Sequence, residues 1–447
     1  MIHLSKGNKD LSAAMINSLW RIFAGPLMLL AIPYFLTPME QGYWYTFTGL
    51  AALSIFADLG FTGIVLQFTA HEFAFLHFGS GRIFTGDESH LWRLASFFRF
   101  TFKWLLRAVG IVFPLIMVGG YFFIDAKHDA INWQMAWILY SMASAMAFIN
   151  STIMSFFEGC NSVSLMQSVR FRVGVCTTCT NFICLVMGFN LYALALAQCV
   201  NAAAGLLYLC YYFQQSMKQL WKLSMGKCYN WWPEFSSLIW RYAISWCSGF
   251  FIFQLFTPLA FQFHGAVFSG KIGISIAMWT AGVGIANTFI TAILPRMNML
   301  ISKHQWKELD ALFHKNLMLT MGTMVLGGIG YFILYYLLKD KMTFFQRVLD
   351  PFNMGILYIS WILETWVGSI ASYLRAHKKE PLMPISALSG IYVAITTWLC
   401  AKYLSPEYLF MGFLTQFVFV IPVVYHIYKK QKEDHIIVEI AESKQTG

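Results

Sequence analysis

Charge is scarce in this sequence: Asp, Glu, Lys and Arg together make 12% of 447 residues, about half the share of an ordinary soluble domain. A chain so poor in ionised groups cannot cover a surface facing water on all sides. Also missing are the motifs of soluble catalysts. No G-x-x-x-x-G-K-[ST] phosphate loop, G-x-S-x-G elbow or H-E-x-x-H zinc helix occurs, so ATP is not the obvious driving force. His71-Glu72 opens HEFAFLH, but His77 falls two residues too late for two zinc ligands one helical turn apart; these side chains are expected at an interface. The nine cysteines are scattered and form no disulfide or zinc spacing. Cys176 and Cys179 make a C-x-x-C pair inside an apolar run, VCTTCTNFIC, where small residues serve helix packing. The first apolar run, Leu11 to Leu36, lacks a small-residue cleavage site and is expected to be a permanent span rather than a signal peptide.

What the chain has in quantity is apolar sequence, 58% hydrophobic and 18% aromatic. Runs of about 20 residues recur along it, each long enough for a hydrocarbon core of about 30 Å, and in lipid only a helix satisfies its own backbone there. Spans are expected near 13–36, 42–68, 99–123, 133–157, 169–187, 191–212, 239–261, 273–294, 316–338, 353–374, 381–403 and 407–428. The expectation is therefore an all-α polytopic membrane protein of about twelve transmembrane helices. The net charge of +10 lies in short loops, where it reports topology rather than nucleic-acid binding. Loops after even-numbered spans, with the termini, carry Arg82, Arg93, Arg170, Lys218, Lys222, Lys227, Lys303, Lys307, Lys378, Lys379, Lys429, Lys430 and Lys432. The opposite loops carry Lys127, Lys271, Lys339, Lys341, Arg347 and Lys402, which predicts cytoplasmic N and C termini. Trp and Tyr gather at span ends, as in GYWY at 42–45 and NWWPEF at 230–235, like interfacial belts.

The longest central polar connection, Gln214 to Ser237, divides the spans six and six. The expected organisation is a first six-helix lobe over 1–212, a cytoplasmic linker over 213–238, a second six-helix lobe over 239–428 and a cytoplasmic tail over 429–447. A weak repeat accompanies the division: SLWRIFAGP at 18–26 opens the first lobe and SLIWRYAIS at 237–245 the second. Such duplication is common in transporters.

A charge at the bilayer centre costs about 2.5 to 3.5 kcal/mol even on lenient scales, so intramembrane ionisable residues are functional candidates. They are Arg21, Asp58, Glu158, Arg241 and Glu364. Glu158 and Arg241 stand near cytoplasmic ends and are expected to snorkel, whereas Arg21, Asp58 and Glu364 could equally face a water-filled cavity. Arg99, Lys103 and Arg107 recur every four residues as a basic stripe among Trp92, Phe97, Phe98, Phe100 and Trp104. Read plainly, that is an interfacial helix on anionic headgroups; read more sharply, it gathers a diphosphate.

Residues 36–63, LTPMEQGYWYTFTGLAALSIFADLGFTG, carry Pro38, Glu40 and Gly42 in a short turn, then Asp58, Leu59 and Gly60. This segment resembles the polysaccharide transporter family, the Wzx-type O-antigen flippases of the multidrug/oligosaccharidyl-lipid/polysaccharide (MOP) exporter superfamily. The chain departs from the pattern at Gln67, where many members have a basic residue. The resemblance implies two MOP/MATE-like lobes and a flippase of the bacterial inner membrane. Its cargo would be an undecaprenyl-diphosphate-linked oligosaccharide, moved by alternating access for O-antigen, lipopolysaccharide or another surface polysaccharide. Partners would be the lipid bilayer and other polysaccharide assembly proteins. Substrate-binding candidates for the diphosphate are Arg21, Arg107 and Arg241, with Arg21 lining a cavity between the lobes; Asp58 and Glu364 are ion-coupling candidates for protons or sodium, and no cofactor or metal is expected. The membrane voltage would assist, since each negative charge gains about 2.3 kcal/mol per 100 mV on leaving a negative cytoplasm. Gly25-Pro26, Pro114 and Pro295 offer places for helices to bend. A cation-coupled drug exporter of the same superfamily, a membrane-embedded glycosyltransferase or polymerase, and a scaffold subunit stay open as alternatives.

Overall fold

Apolar runs with no water to satisfy their peptide groups become helices, and helices make up nearly the whole chain. The computed structural model describes residues 6–445 apart from 128, 130, 227, 228 and 378–380, and leaves aside the side chains of 6–11, 237, 238, 241, 295 and 434–445. Lys227, Lys378, Lys379 and the side chain of Arg241 therefore lie outside the described residues.

Two compact units divide at Cys247 and Ser248. The first holds α1 (Lys6–Phe35), α2 (Pro38–Ala51), a short 3-10 turn, α3 (Ile55–Asp58) and α4 (Phe61–Phe73). A hairpin of β1 (Leu76–Phe78) and β2 (Phe84–Gly86) follows, then α5 (Glu88–Asp125), α6 (Gln134–Gly159), α7 (Val163–Val186), α8 (Leu191–Leu223) and most of α9 (Trp232–Phe253). The second unit holds α10 (Phe256–His264), α11 (Ala266–Ala286), α12 (Thr288–Ser302), α13 (Trp306–Leu338), α14 (Thr343–Gln346), α15 (Pro351–Ala376), α16 (Met383–Tyr403), α17 (Met411–Thr415) and α18 (Phe417–Gln445). Among the described residues ten helices are long and apolar enough to cross a membrane, or twelve if each of two bent pairs is one span.

Several helices outrun their apolar cores. α5 starts at Glu88 rather than 99, and α8 runs to Leu223 rather than 212. Hydropathy marks only the part in lipid, whereas Lys, Gln and Leu continue a helix in water. The stretch 213–238 accordingly contains the end of α8 and the start of α9, and 429–445 continues α18. In the second unit that continuation is tied down: Lys432 Nζ lies 3.0 Å from Asp310, which also accepts from the Tyr373 hydroxyl at 3.0 Å.

The sequence motifs of 36–63 resolve into two backbone devices. Thr37 caps α2 in a capping box: its hydroxyl accepts from Glu40 N, and Glu40 Oε2 accepts from Thr37 N at 2.9 Å. Pro38 sits in the first turn, where its missing N–H costs nothing. The other oxygen of Glu40 accepts from Asn190 Nδ2 at 2.6 Å, joining the start of α2 to that of α8. Asp58-Leu59-Gly60 is a helix break, with Leu59 at φ 48° and Gly60 at φ 78°, and the chain bends by 43° across it. The second bend, 41°, separates α9 from α10. Pro26 and Pro114, by contrast, lie inside helices that continue through them. Each removes one hydrogen bond, but the marked bends fall where the ladder itself stops.

The two-stranded hairpin between α4 and α5 was not expected from the sequence, because its strands are only three residues long. It lies along α8: Gln219 brackets Phe84, accepting from its N at 2.7 Å and donating to its carbonyl at 2.8 Å, and Ser216 donates to the Arg82 carbonyl. Asp87 caps α5 by accepting from Ser89 and His90, and chiefly the Ser89 hydroxyl bond lowers its carboxyl pKa. Its folded-state stabilisation is thus present above the ordinary aspartate range and lost as pH falls through the lowered value.

His71 and Glu72 part company. Glu72 is 2% exposed, with one carboxylate oxygen 2.9 Å from His90 Nδ1 and the other 2.9 Å from Arg93. The Arg93 guanidinium lies over the rings of Tyr229 and Trp231, and the Tyr229 hydroxyl donates to Glu234, a bond that, ahead of burial, raises the phenol pKa. Glu72 therefore fastens α4 to α5 and to the segment leading into α9. Glu72→Gln should destabilise the chain by about 2 kcal/mol, the range for hydrogen bonds to charged groups. A thermal-unfolding curve in detergent unchanged from wild type would contradict that role.

Candidate functional site: a charged cleft in the first unit

The turn at 160–162 joins α6 to α7 as an antiparallel pair, and small or polar residues let their neighbours close in. A Cβ on Gly159 would come 2.6 Å from the Leu66 carbonyl of α4, and one on Gly205 of α8 would come 3.0 Å from Asn150 Nδ2. Asn150 donates to the Ala202 carbonyl at 2.7 Å, tying α6 to α8. Between these contacts stays a cavity of about 540 Å³, lined by Asp58, Thr62, Ser151, Ser155, Glu158 and Arg170 together with apolar groups. A second, of about 340 Å³, shares Ser151 and Arg170 with it and adds Thr177, Thr178 and Asn201.

Arg170 is the focus of both. It stands in α7, and because helical side chains lean toward the N-terminus of their helix it reaches back to the end of α6. Nη1 lies 2.6 Å from Glu158 Oε2, and Nη2 donates to Ser155 Oγ at 3.2 Å. The other oxygen of Glu158 accepts from Gln167 Nε2 at 2.9 Å, and Gln167 Oε1 accepts from Asn17 of α1 at 2.9 Å. A relay of amide, amide, carboxylate and guanidinium thus crosses α1, α7 and α6. The Arg170 side chain keeps 29% exposure against 13% for Glu158, so the cation is the more accessible partner.

Asp58 approaches the same cleft from the helix break. Its Oδ1 accepts from Thr62 N at 3.1 Å and from the Thr62 hydroxyl at 2.5 Å, capping α4. Thr152 Oγ1, 3.1 Å from Thr62 Oγ1, donates either to it or to the Phe148 carbonyl. The second Asp58 oxygen makes no hydrogen bond among the described residues. The break is enforced by packing, since a Cβ on Gly60 would come 2.8 Å from Tyr242 Cβ and 3.3 Å from the Trp246 ring.

The other expected site residues are dispersed. Arg21 is exposed on α1 and lines neither cavity, and Arg107 and Lys103 are exposed on α5. Arg99, from the same stripe, donates to the Ser224 carbonyl at 2.7 Å and so closes the end of α8. Arg241 lies on α9, with its side chain outside the described residues. Glu364 is on α15 in the second unit, and no ion pair or hydrogen bond reaches it among the described residues. Two readings need correction: Glu158 does not snorkel but is paired inside the first unit, and Arg170 is not a loop charge but lies two turns inside α7. The signal was present in EGCNSVSLMQSVR, where opposite charges flank a short turn between two apolar runs. Among the described residues no group of three or more His, Cys, Asp or Glu could hold a metal.

Together these features describe a multi-pass helical membrane protein with a mixed-charge cleft in its first unit. Its fold is that of transporters of the MOP superfamily. A multidrug resistance MATE family transporter of that superfamily, in an inward-facing conformation, matches with a TM-score of 0.64 at 9% identity over 96% of this chain and 98% of that one. The lipid II flippase MurJ, inward closed, matches with 0.59 at 11% identity over 96% and 90%. A eukaryotic MATE transporter matches with 0.52 at 13% identity over 96% and 94%. No protein-family model and no curated protein sequence matches the chain.

Proposed function

We propose that this chain is a flippase that carries a diphosphate-linked oligosaccharide lipid, an undecaprenyl-type carrier bearing a surface-polysaccharide repeat unit, across a bacterial inner membrane. The observation that carries the reading is Arg170, a guanidinium inside the first unit that opens onto two cavities carrying hydroxyl, amide and carboxylate groups. Guanidinium offers forked donors suited to phosphate oxygens, and Ser151, Thr177, Thr178 and Asn201 offer partners for sugar hydroxyls. A sugar diphosphate crossing bare hydrocarbon would leave each such group unsatisfied at several kcal/mol, while its polyprenyl tail stays in lipid at no such cost. The likeness to a lipid II flippase supports a lipid-linked cargo on this fold. Loop charges favour cytoplasmic termini.

A drug exporter is the second reading, and it too has an observation behind it. Two carboxylates, Asp58 and Glu158, face one guanidinium in the larger cavity, a balance that suits a cation as cargo or as the coupled proton or sodium. Binding to the purified chain separates the two. A short-chain polyprenyl-diphosphate disaccharide should bind the wild type, and Glu158→Gln, which frees Arg170 from its partner, should bind it more tightly. Binding of a lipophilic cation that disappears in Glu158→Gln, with no binding of the diphosphate, would favour the exporter.

A further inference from the structure

Two residues beyond Arg170, Arg172 points to the outside of the first unit, and its surroundings are different. Its Nη1 donates to the Tyr212 hydroxyl at 3.3 Å, and its guanidinium lies 5.9 Å from the centre of the Tyr208 ring. The Arg82 guanidinium lies 5.2 Å from the ring centres of both Tyr212 and Phe213. The same tyrosine thus holds one guanidinium at its hydroxyl and another at its face. Arg82 is kept there by the hairpin, whose Arg82 carbonyl and Phe84 peptide are bound to Ser216 and Gln219 of α8.

Neither guanidinium has a carboxylate partner among the described residues, and around Arg172 the sequence offers none, since no Asp or Glu occurs between Glu158 and Glu234. Two neighbouring cations with no carboxylate between them offer an anion attraction from both. Their depth says what kind of anion. Arg172 and Tyr212 stand at the ends of the apolar runs 169–187 and 191–212, the level of lipid headgroups. On α8, Leu207, more than one turn before Tyr212, and Tyr211 beside it are 69% and 81% exposed, a surface against which acyl chains can lie.

We infer that Arg82, Arg172 and Tyr212 form a binding site for an anionic phospholipid headgroup, on the outer face of the first unit and separate from the Arg170 cleft. The headgroup phosphate bridges the two guanidiniums, and the acyl chains lie against Leu207 and Tyr211. Occupancy would fasten the hairpin to α7 and α8.

Native mass spectrometry of the purified full-length chain tests this, with phosphatidylglycerol and phosphatidylethanolamine supplied at equal concentration. Wild type should retain phosphatidylglycerol over phosphatidylethanolamine by about thirtyfold, the attraction of two surface arginines. Arg82→Gln/Arg172→Gln should bring the two lipids to parity, whereas Lys429→Gln/Lys430→Gln, an equal change of charge elsewhere, should keep the preference. Tyr212→Phe keeps the ring under Arg82 and removes the tether of Arg172, so it should show an intermediate preference even if the double variant fails to fold. The proposal is overturned if wild type shows no preference, if Tyr212→Phe and the folded double variant keep the full preference, or if inorganic phosphate displaces the lipid, which would mark a free-anion site.

Discussion

Arg170→Ala should reduce transport about 10- to 100-fold and lower the melting temperature of the chain. The first effect follows from losing a charged hydrogen-bond donor to the cargo, about 1.5–3 kcal/mol, at about 1.4 kcal/mol per factor of ten. The second follows from stranding Glu158, whose Oε2 lies 2.6 Å from the guanidinium. The two can be separated. Arg170→Met/Glu158→Met removes both charges, so it should recover stability, because replacing a buried pair with apolar residues is often neutral, yet stay inactive. Arg170→Lys keeps the charge but cannot hold Glu158 and Ser155 with a planar fork, and should keep a fraction of transport. Surface polysaccharide in a strain that depends on this chain, at matched expression, reads the transport; thermal unfolding in detergent reads the stability. Full transport by the alanine variant would remove Arg170 from the cargo path.

Gly60→Ala should be strongly destabilising. The residue holds φ 78° and its Cβ would lie 2.8 Å from Tyr242 Cβ. Left-handed strain on a residue with a side chain costs about 1–3 kcal/mol, and overpacking costs a similar amount. The expected loss is therefore about 2–6 kcal/mol, with Asp58 displaced from the cleft because its cap on Thr62 depends on the break. Gly63→Ala, where nothing lies within 4 Å of the new Cβ, is the control and should behave as wild type. Equal melting temperatures for the two alanine variants would show that the break at Gly60 is not sterically enforced.

Helix number and position were legible because lipid imposes a simple rule, about 20 apolar residues in a helix per crossing. Helix ends were not, since outside lipid nothing in hydropathy marks where α5 or α8 stops. The motif around Pro38, Glu40, Asp58 and Gly60 could be seen in the sequence, but its physical content, a capping box and a helix break, needed the backbone angles. Asp58 was singled out both by its charge and by that motif. Arg170 and Glu158 were passed over because each stands near a span end, where snorkelling is the simpler expectation; only the packing of α6 on α7 shows them facing each other. Glu72 was expected at an interface, whereas it is buried with His90 and Arg93 of the next helix as its partners.

Reconstitution tests the central proposal most directly. The purified chain is placed in liposomes whose inner and outer leaflets carry a fluorescent short-chain polyprenyl-diphosphate oligosaccharide, and a membrane-impermeant quencher is added outside. The flippase reading predicts that the quenched fraction rises from about half toward completion with wild-type protein, stays near its starting value with Arg170→Ala, and rises faster when the side of the membrane that the cargo leaves is made negative. Liposomes that leave the diphosphate lipid in place while expelling a lipophilic cation against a proton or sodium gradient would contradict it.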